Sequence, residues 1–457
     1  MPAASASLNP KQWLFFYFSI AFSVTIYCLT PFYSRQSHFL SILFFFGSAF
    51  IIYLLFWKII LKYSSNVLLW LIPGLLFRIA CSFTLADWSP DIYRYFWDGL
   101  MCSHGINPFQ YTPTDFLQHA GNTDPLFAQI YAHLSSSEYF SIYPAPSQLL
   151  FFISASLGGK SILGFAMVLR LLYLSIELGL IFLLMRYFRT SNRNSAYIGL
   201  LFLNPLWIFE SYANAHIELV MLVALLLAVV SINSDHFKNT GFFLFGLSIA
   251  SKLSSAIFVP AFFLKWIKAP HFSGLIAFFV GAVMFLPLAA SYPDHLLQSV
   301  SLFFRQFEFN SFLYKPIIYS FHDAQLYSVE KFTSPILMLV FLVIYLKKLV
   351  SLWNHQGDDS WYRSIFILAF CFYLLSSTVH PWYICMIVGL GIFSYYRTAV
   401  CWSGMVIVSY SHYDPHWINY QDLFTLIEYL VVLSVFILEN KKAMLIKHGF
   451  YREKLFI

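Results

Sequence analysis

Carboxylates and a guanidinium crowd the segment Asp87-Trp-Ser-Pro-Asp91-Ile-Tyr-Arg94-Tyr95-Phe-Trp97-Asp98-Gly99, and Gly105-Ile-Asn107-Pro108-Phe109 follows closely. A helix begun after Pro90 brings Asp91, Arg94, Tyr95 and Asp98 onto one face, because residues three and four apart are neighbours there. A carboxylate-rich face beside aromatic rings suits general acid–base chemistry. The structural alternative stands beside it: Arg94 pairs with Asp91 and Asp98 to hold a loop.

Further ionisable residues recur at the ends of apolar runs. Glu210, His216 and Glu218 occur in Asn204-Pro-Leu-Trp-Ile-Phe-Glu-Ser-Tyr-Ala-Asn-Ala-His-Ile-Glu218, Lys252 follows the run 240–251, Arg305 lies in a second polar stretch, and His380 precedes Pro381. An ionisable group inside a bilayer costs about 2.5–3.5 kcal/mol on insertion scales, so such positions invite a functional reading. Each also has a plainer one. His216 and Glu218 fit a polar helix end, His380 fits a helix-capping position, and Lys252 fits a lysine that snorkels to the interface. His412 and His416 flank Asp414, but the intervening proline argues against a helical zinc site, and no metal is expected.

The elements that position these groups follow from composition. The 457 residues are 59% hydrophobic and only 11% charged, with 52 Phe and 30 Tyr. An average soluble domain carries about 25% charged residues, so water is not this chain's main solvent. A hydrocarbon core about 30 Å thick needs about 20 apolar residues per helix. Apolar runs at 12–32, 38–61, 67–86, 161–187, 194–210, 215–232, 240–251, 255–268, 271–290, 332–352, 361–378, 381–396, 399–413 and 423–439 predict an all-α polytopic membrane protein with about 12–14 transmembrane helices. The stretch 144–158 is short and opens on two prolines, which suits a re-entrant segment.

With the N-terminus inside, Arg186, Arg189, Arg193, Lys238, Lys265, Lys268, Lys347, Lys348, Arg397 and the basic tail all face the cytoplasm, as the positive-inside rule requires. Two polar loops, 87–143 and 291–331, then lie outside with the residues singled out above. The first apolar run is too long for a signal-peptide core and is expected to remain as a helix. The chain reads as one membrane domain, 1–457, without an internal repeat. The net charge of +6 comes from topology-setting Lys and Arg and predicts no nucleic-acid partner. The six cysteines contain no CxxC pair, which supports neither a disulfide framework nor a zinc site.

The ordered set DIYRYFWDG…HGINPFQYTP, YPAPSQLLF, NPLWIFESYANAHIELVM, SKLSSAIFVP and STVHPWY resembles membrane glycosyltransferases of the GT-C superfamily. Within it, the chain resembles bacterial polyprenyl-phosphate-mannose-dependent mannosyltransferases and, more distantly, the GPI mannosyltransferase. The resemblance spans about residues 87–385. It implies a GT-C-like bundle in a bacterial inner membrane with its active site outside the cytoplasm. It further implies transfer of a hexose, mannose by this likeness, from a polyprenyl-phosphate donor to a lipid- or glycan-linked acceptor by inverting displacement.

The family's base position falls on Asp91, with Asp87 second. Aspartates one residue apart are absent here, since Ile92 and Tyr93 follow Asp91, so no metal cofactor is expected. Fixed charge for the donor phosphate falls to Lys252, Arg305, His216 and His380. Contacts to acceptor and sugar fall to Arg94, Trp97, Asp98, Asn107 and Glu218. The rival readings are a secondary transporter and a polysaccharide or lipid export component. Transporters usually show repeats and midplane sites at broken helices.

Overall fold

The computed structural model describes residues 8–63, 66–119, 124–234, 236–306, 308–325, 327–355 and 357–447. The fold is all-α, as expected. In chain order the helices are α1 (Pro10–Leu29), α2 (Phe39–Lys62), α3 (Leu68–Ser82), α4 (Asp91–Ser103), α5 (Pro113–His119), α6 (Pro125–Tyr131), α7 (Ala145–Gly158) and α8 (Ile162–Thr190). Then follow α9 (Ala196–Phe202), α10 (Pro205–Ile208), a π-turn (Phe209–Ala213), α11 (Glu218–Ser231), α12 (Lys238–Ser251), α13 (Val259–Lys268), α14 (Phe272–Val283) and α15 (Pro293–Gln306). The chain closes with α16 (Tyr314–Asp323), α17 (Tyr327–Glu330), α18 (Thr333–Asn354), α19 (Asp358–Leu375), α20 (Pro381–Ser394), α21 (Arg397–Met405) and α22 (Gln421–Lys447). Among the described residues the only extended pairing is an isolated bridge between Phe309 and Thr378.

Five helical stretches are long and apolar enough to cross a membrane: Pro10–Phe32, Phe39–Lys62, Ile162–Thr190, Thr333–Asn354 and Ile418–Lys441. Their outward faces expose large apolar side chains such as Phe44, Phe182 and Met338, as lipid solvation requires. Helices α3, α7, α11, α14 and α20 are equally apolar but shorter. With 14 residues, α7 extends only about 21 Å, less than the thickness of a hydrocarbon core.

Several runs that read as continuous are broken. The run 194–210 splits because Asn204 caps a new helix through Trp207 N–H at 3.2 Å and Pro205 cannot continue the old one. The run 255–268 starts as a 3₁₀ turn, Leu253–Phe258, before α13 forms.

The chain divides into two compact units. One comprises Met1–Cys81, Phe188–Phe209 and Glu308–Ile457. Its interior holds Arg78, fully buried, with Nη1 donating to the carbonyls of Gly74 at 2.9 Å and Phe202 at 2.8 Å and the guanidinium stacked on the Phe202 ring. A second buried polar centre is Glu428, which accepts from Trp402 Nε1 at 2.8 Å and from Asn310 Nδ2 at 3.2 Å.

The other unit comprises Ser82–Tyr187 and Glu210–Phe307. Here α4 packs directly on α7. Gly99 makes that possible, since a Cβ there would lie 2.4 Å from the Phe151 carbonyl oxygen. Tyr95 stacks on Phe151 at 4.6 Å across the same contact. Helices α11, α12 and α14 pack side by side, with Gly246 of α12 against the Phe278 carbonyl of α14.

Candidate active site

Helix α4 opens where the sequence predicts, after Pro90, and Ser89 Oγ accepts from Asp91 N–H at 3.3 Å. A carboxylate in a helix's first turn is stabilised by the helix dipole. From this position Asp91 and Asp98 point into different environments. Asp98 is fully buried and its oxygens accept from Arg94 Nε at 2.9 Å, Ser141 Oγ at 2.5 Å and Gln148 Nε2 at 2.9 Å. Arg94 adds hydrogen bonds to the carbonyls of Ser136 at 3.0 Å and Tyr139 at 2.8 Å. The Arg94–Asp98 pair therefore ties α4 to the following loop and to α7. The Asp91 side chain instead keeps 32% of its surface exposed, enough to meet a substrate.

Asp91 meets His216, whose Nε2 lies 3.8 Å from Asp91 Oδ2. The other ring nitrogen, Nδ1, lies 3.0 Å from Glu210 Oε2, which also accepts from Asn214 Nδ2 at 2.9 Å. The imidazole is thus held between two carboxylates. Backbone geometry produces this placement. The chain passes through the π-turn and then through Ala215 at φ 56°, a left-handed conformation that costs a non-glycine residue energy. His216 N–H donating to the Glu210 carbonyl at 2.9 Å, and Tyr173 Oη donating to the Ala215 carbonyl at 3.1 Å, hold the turn.

Burial lowers the His216 pKa, but the Glu210 hydrogen bond and charge, with the charges of Glu218 and Asp91, outweigh it and raise the pKa above its ordinary value.

The first residue of α11, Glu218, is buried and pairs through Oε1 with the Lys252 ammonium at the end of α12. Glu218 Oε2 has no hydrogen-bond partner among the described residues. Lys252 is one quarter exposed. Its backbone is extended, φ −159°, so the chain turns out of helix here and the side chain reaches across to α11. The Asp91 and Glu218 charges both act on the buried Tyr95 and Tyr143, whose phenols burial and these carboxylates push well above their ordinary pKa. Asp91, Glu210, His216, Glu218 and Lys252 thus form one cluster within one compact unit.

The remaining expected site residues are not brought into this cluster by any described contact. Asp87 is exposed ahead of α4. Trp97 is buried edge-on between Phe116 and Phe127, inside the packing of α5 and α6. Asn107 donates to the Leu288 carbonyl at 2.9 Å and accepts from Phe109 N–H, which fixes its loop. Arg305 lies on α15, but its side chain falls outside the described residues. His380 belongs to the other unit, where it precedes α20 and stacks on Phe309 at 4.5 Å and on Trp382 at 4.3 Å.

Sequence reading passed over the groups that brace the cluster from α8. Arg170 donates to the carbonyls of Ser82 and Ala213, both at 2.7 Å, and Glu177 accepts from Tyr212 Oη at 2.6 Å. The signal was available, because an arginine and a glutamate seven residues apart inside an apolar helix demand partners. Among the described residues no group of three or more His, Cys, Asp or Glu side chains is placed to hold a metal ion.

Residues 33–268 match the family described as alpha-(1->6)-mannopyranosyltransferase, N-terminal domain. The chain belongs to that family. It is a GT-C mannosyltransferase, and the matched segment contains all five residues of the cluster, while Arg305 and His380 lie beyond it. Comparison with curated proteins and with solved structures returned no match.

Proposed function

We propose that this mannosyltransferase moves mannose from a polyprenyl-phosphate-linked donor to a hydroxyl of a lipid- or glycan-linked acceptor, on the extracytoplasmic side of a bacterial inner membrane. Asp91 is the base. The acceptor oxygen attacks the sugar's C1 as its proton passes to Asp91, and the bond from C1 to the phosphate oxygen breaks. One displacement inverts configuration, so an α-linked product, as the family description names, requires a β-linked donor. The donor phosphodiester carries one negative charge and departs as a monoester with more, because the second phosphate pKa is about 6. The leaving group therefore needs fixed positive charge rather than a strong acid. Lys252 and the charged His216 supply it, and Glu218 and Glu210 hold them in place.

The observation that carries this reading is the contrast between two aspartates on one helix. Asp98 is buried under three hydrogen bonds, while Asp91 is accessible and faces a histidine braced by a second carboxylate. No metal is assigned a role.

The test is transfer of radiolabelled mannose from a β-linked polyprenyl-phosphate donor to a lipid extract by purified protein. Asp91→Asn keeps the shape of the side chain and removes its basicity, and a positioned base contributes about 10²–10⁴-fold. Loss of that size in a folded variant supports the assignment. Activity within a few-fold of wild type would remove Asp91 from the role.

A further inference from the structure

Glu218 carries an oxygen that its pairing with Lys252 leaves unused. The side chain is only 5% exposed, Oε1 meets the Lys252 ammonium, and Oε2 is buried with no hydrogen-bond donor reaching it among the described residues. An unpaired oxygen on a buried charged group costs more than one on a neutral group. Holding the ammonium takes one oxygen. The second is turned to something that donates, since an ionised carboxylate only accepts.

A phenol stands in the same neighbourhood. Ser147 Oγ donates to the Ser251 carbonyl at 3.0 Å and fastens the start of α7 to the end of α12, one residue before Lys252. Tyr143 leads into α7 from that point, and its ring meets Tyr95 edge-on with centroids 5.0 Å apart. Tyr95 Oη in turn donates to Asp91 Oδ2 at 3.5 Å. Burial, and after it the charges of Asp91 and Glu218, keep the Tyr143 phenol protonated. No hydrogen bond holds its oxygen among the described residues. A carboxylate that accepts beside a neutral phenol that donates matches a hydroxyl, which has one proton to give and two lone pairs to offer.

Lys252 selects which hydroxyl. A donor phosphate on the ammonium lies beside the carboxylate that holds that ammonium, so a group meeting Oε2 must be carried close to the phosphate. On a hexose linked to phosphate through C1, the nearest hydroxyl is the one on C2. Its direction is what separates mannose from glucose. Hydrogen bonds to it also strengthen as positive charge develops at C1 during glycosyl transfer.

The geometry points to Glu218 Oε2 and Tyr143 Oη as the subsite for the 2-hydroxyl of the donor hexose, with Glu218 accepting its proton and Tyr143 donating to its oxygen. The inference rests on the polyprenyl-phosphate reading above and adds the source of sugar specificity. A 2-hydroxyl that points the other way, or is missing, leaves the buried oxygen of Glu218 unpaired.

The test is transfer by the purified full-length protein from four β-linked polyprenyl phosphates, carrying mannose, its 2-deoxy and 6-deoxy analogues, and glucose, with kcat/KM measured for each. Wild type should discriminate against the glucose donor by at least about 10²-fold, because a site built around a hydroxyl keeps unpaired groups when it is misplaced. Removing O2 also makes C1 intrinsically more reactive, so the deciding quantity is the ratio of 2-deoxy to mannose donor in each variant. Glu218→Gln should raise that ratio at least about ten-fold, the worth of a hydrogen bond to a charged group, and leave the 6-deoxy ratio unchanged. Tyr143→Phe removes a single oxygen and should raise the ratio about five-fold, so it carries the comparison alone should Glu218→Gln fail to fold. Slowing of all four donors by one factor in either variant would overturn the inference while leaving the polyprenyl-phosphate reading standing, with Glu218 reduced to the partner of Lys252. Equal use of mannose and glucose by wild type would overturn it as well. Transfer from none of the four donors would overturn that reading and this inference together.

Discussion

Removing Lys252 separates a catalytic cation from a structural one, because the proposed mechanism assigns to a substrate phosphate the same side chain that pairs with Glu218. Lys252→Met leaves the Glu218 carboxylate buried with neither oxygen paired among the described residues. Breaking a buried pair by deleting one partner costs about 3–5 kcal/mol, and partial hydration of a lysine that is one quarter exposed reduces this to about 2 kcal/mol. In the transition state the loss of a charge from a phosphate contact resembles the loss of an oxyanion donor, about 2.7–4 kcal/mol, or at least about 10²-fold in turnover. The two effects separate in a cycle with Glu218→Gln, which removes the stranded charge. Heat unfolding of the double variant should return most of the lost stability, while mannose transfer should stay at least about 10²-fold down. Lys252→Arg should recover only part of the rate, since a planar fork replaces a point charge. Transfer that returned together with stability in the double variant would show that Lys252 acts only as the partner of Glu218, and the phosphate role would pass to His216 and Arg305.

Two further outcomes follow from the same cluster. The Glu210 carboxylate raises the His216 pKa, so the charged imidazole, and any stability it adds, is fully present below the unfolded value near 6.5 and is lost as pH rises through the higher folded value. The alkaline limb of transfer rate against pH should therefore move to lower pH in Glu210→Gln, and an unmoved limb would detach His216 from catalysis. Chelation by EDTA should leave turnover unchanged if, as proposed, Lys252 and His216 are the cations of the leaving phosphate; a complete loss restored by Mg²⁺ or Mn²⁺ would refute that arrangement.

What the sequence made legible was local. The face shared by Asp91, Arg94 and Asp98 follows from helical spacing alone, and Pro90 marks where the helix starts. Spacing could not say which aspartate stays accessible, because that depends on Ser141 and Gln148, two uncharged polar side chains brought in by another loop and helix. The bond between Lys252 and Glu218 joins positions 34 apart, across the loop between two antiparallel helices. Glu210 and His216 are close in sequence, yet a regular helix would place them on different sides. The π-turn and the left-handed Ala215 bring them together, and neither leaves a glycine or proline as a marker. Trp97 and Asn107 have residue types suited to a sugar, but the polar loop also needs an aromatic core and a carbonyl partner, and it takes both.

If the cluster acts as proposed, its charge balance favours departure of the phosphate over its binding. Around the reacting position three carboxylates, Asp91, Glu210 and Glu218, face two cations, His216 and Lys252. A donor phosphodiester with one charge must compete with Glu218 for Lys252 and gains little net attraction on arrival. As the bond to the sugar breaks, charge on the phosphate grows while the Asp91 carboxylate is neutralised by the acceptor proton. Both changes strengthen the pull of the same two cations on the leaving group. An interaction that grows along the reaction lowers the barrier, whereas one already complete in the ground state would only tighten binding. In the proposed mechanism Glu218 therefore serves the reaction by weakening the grip of Lys252 on the donor while keeping the ammonium in position.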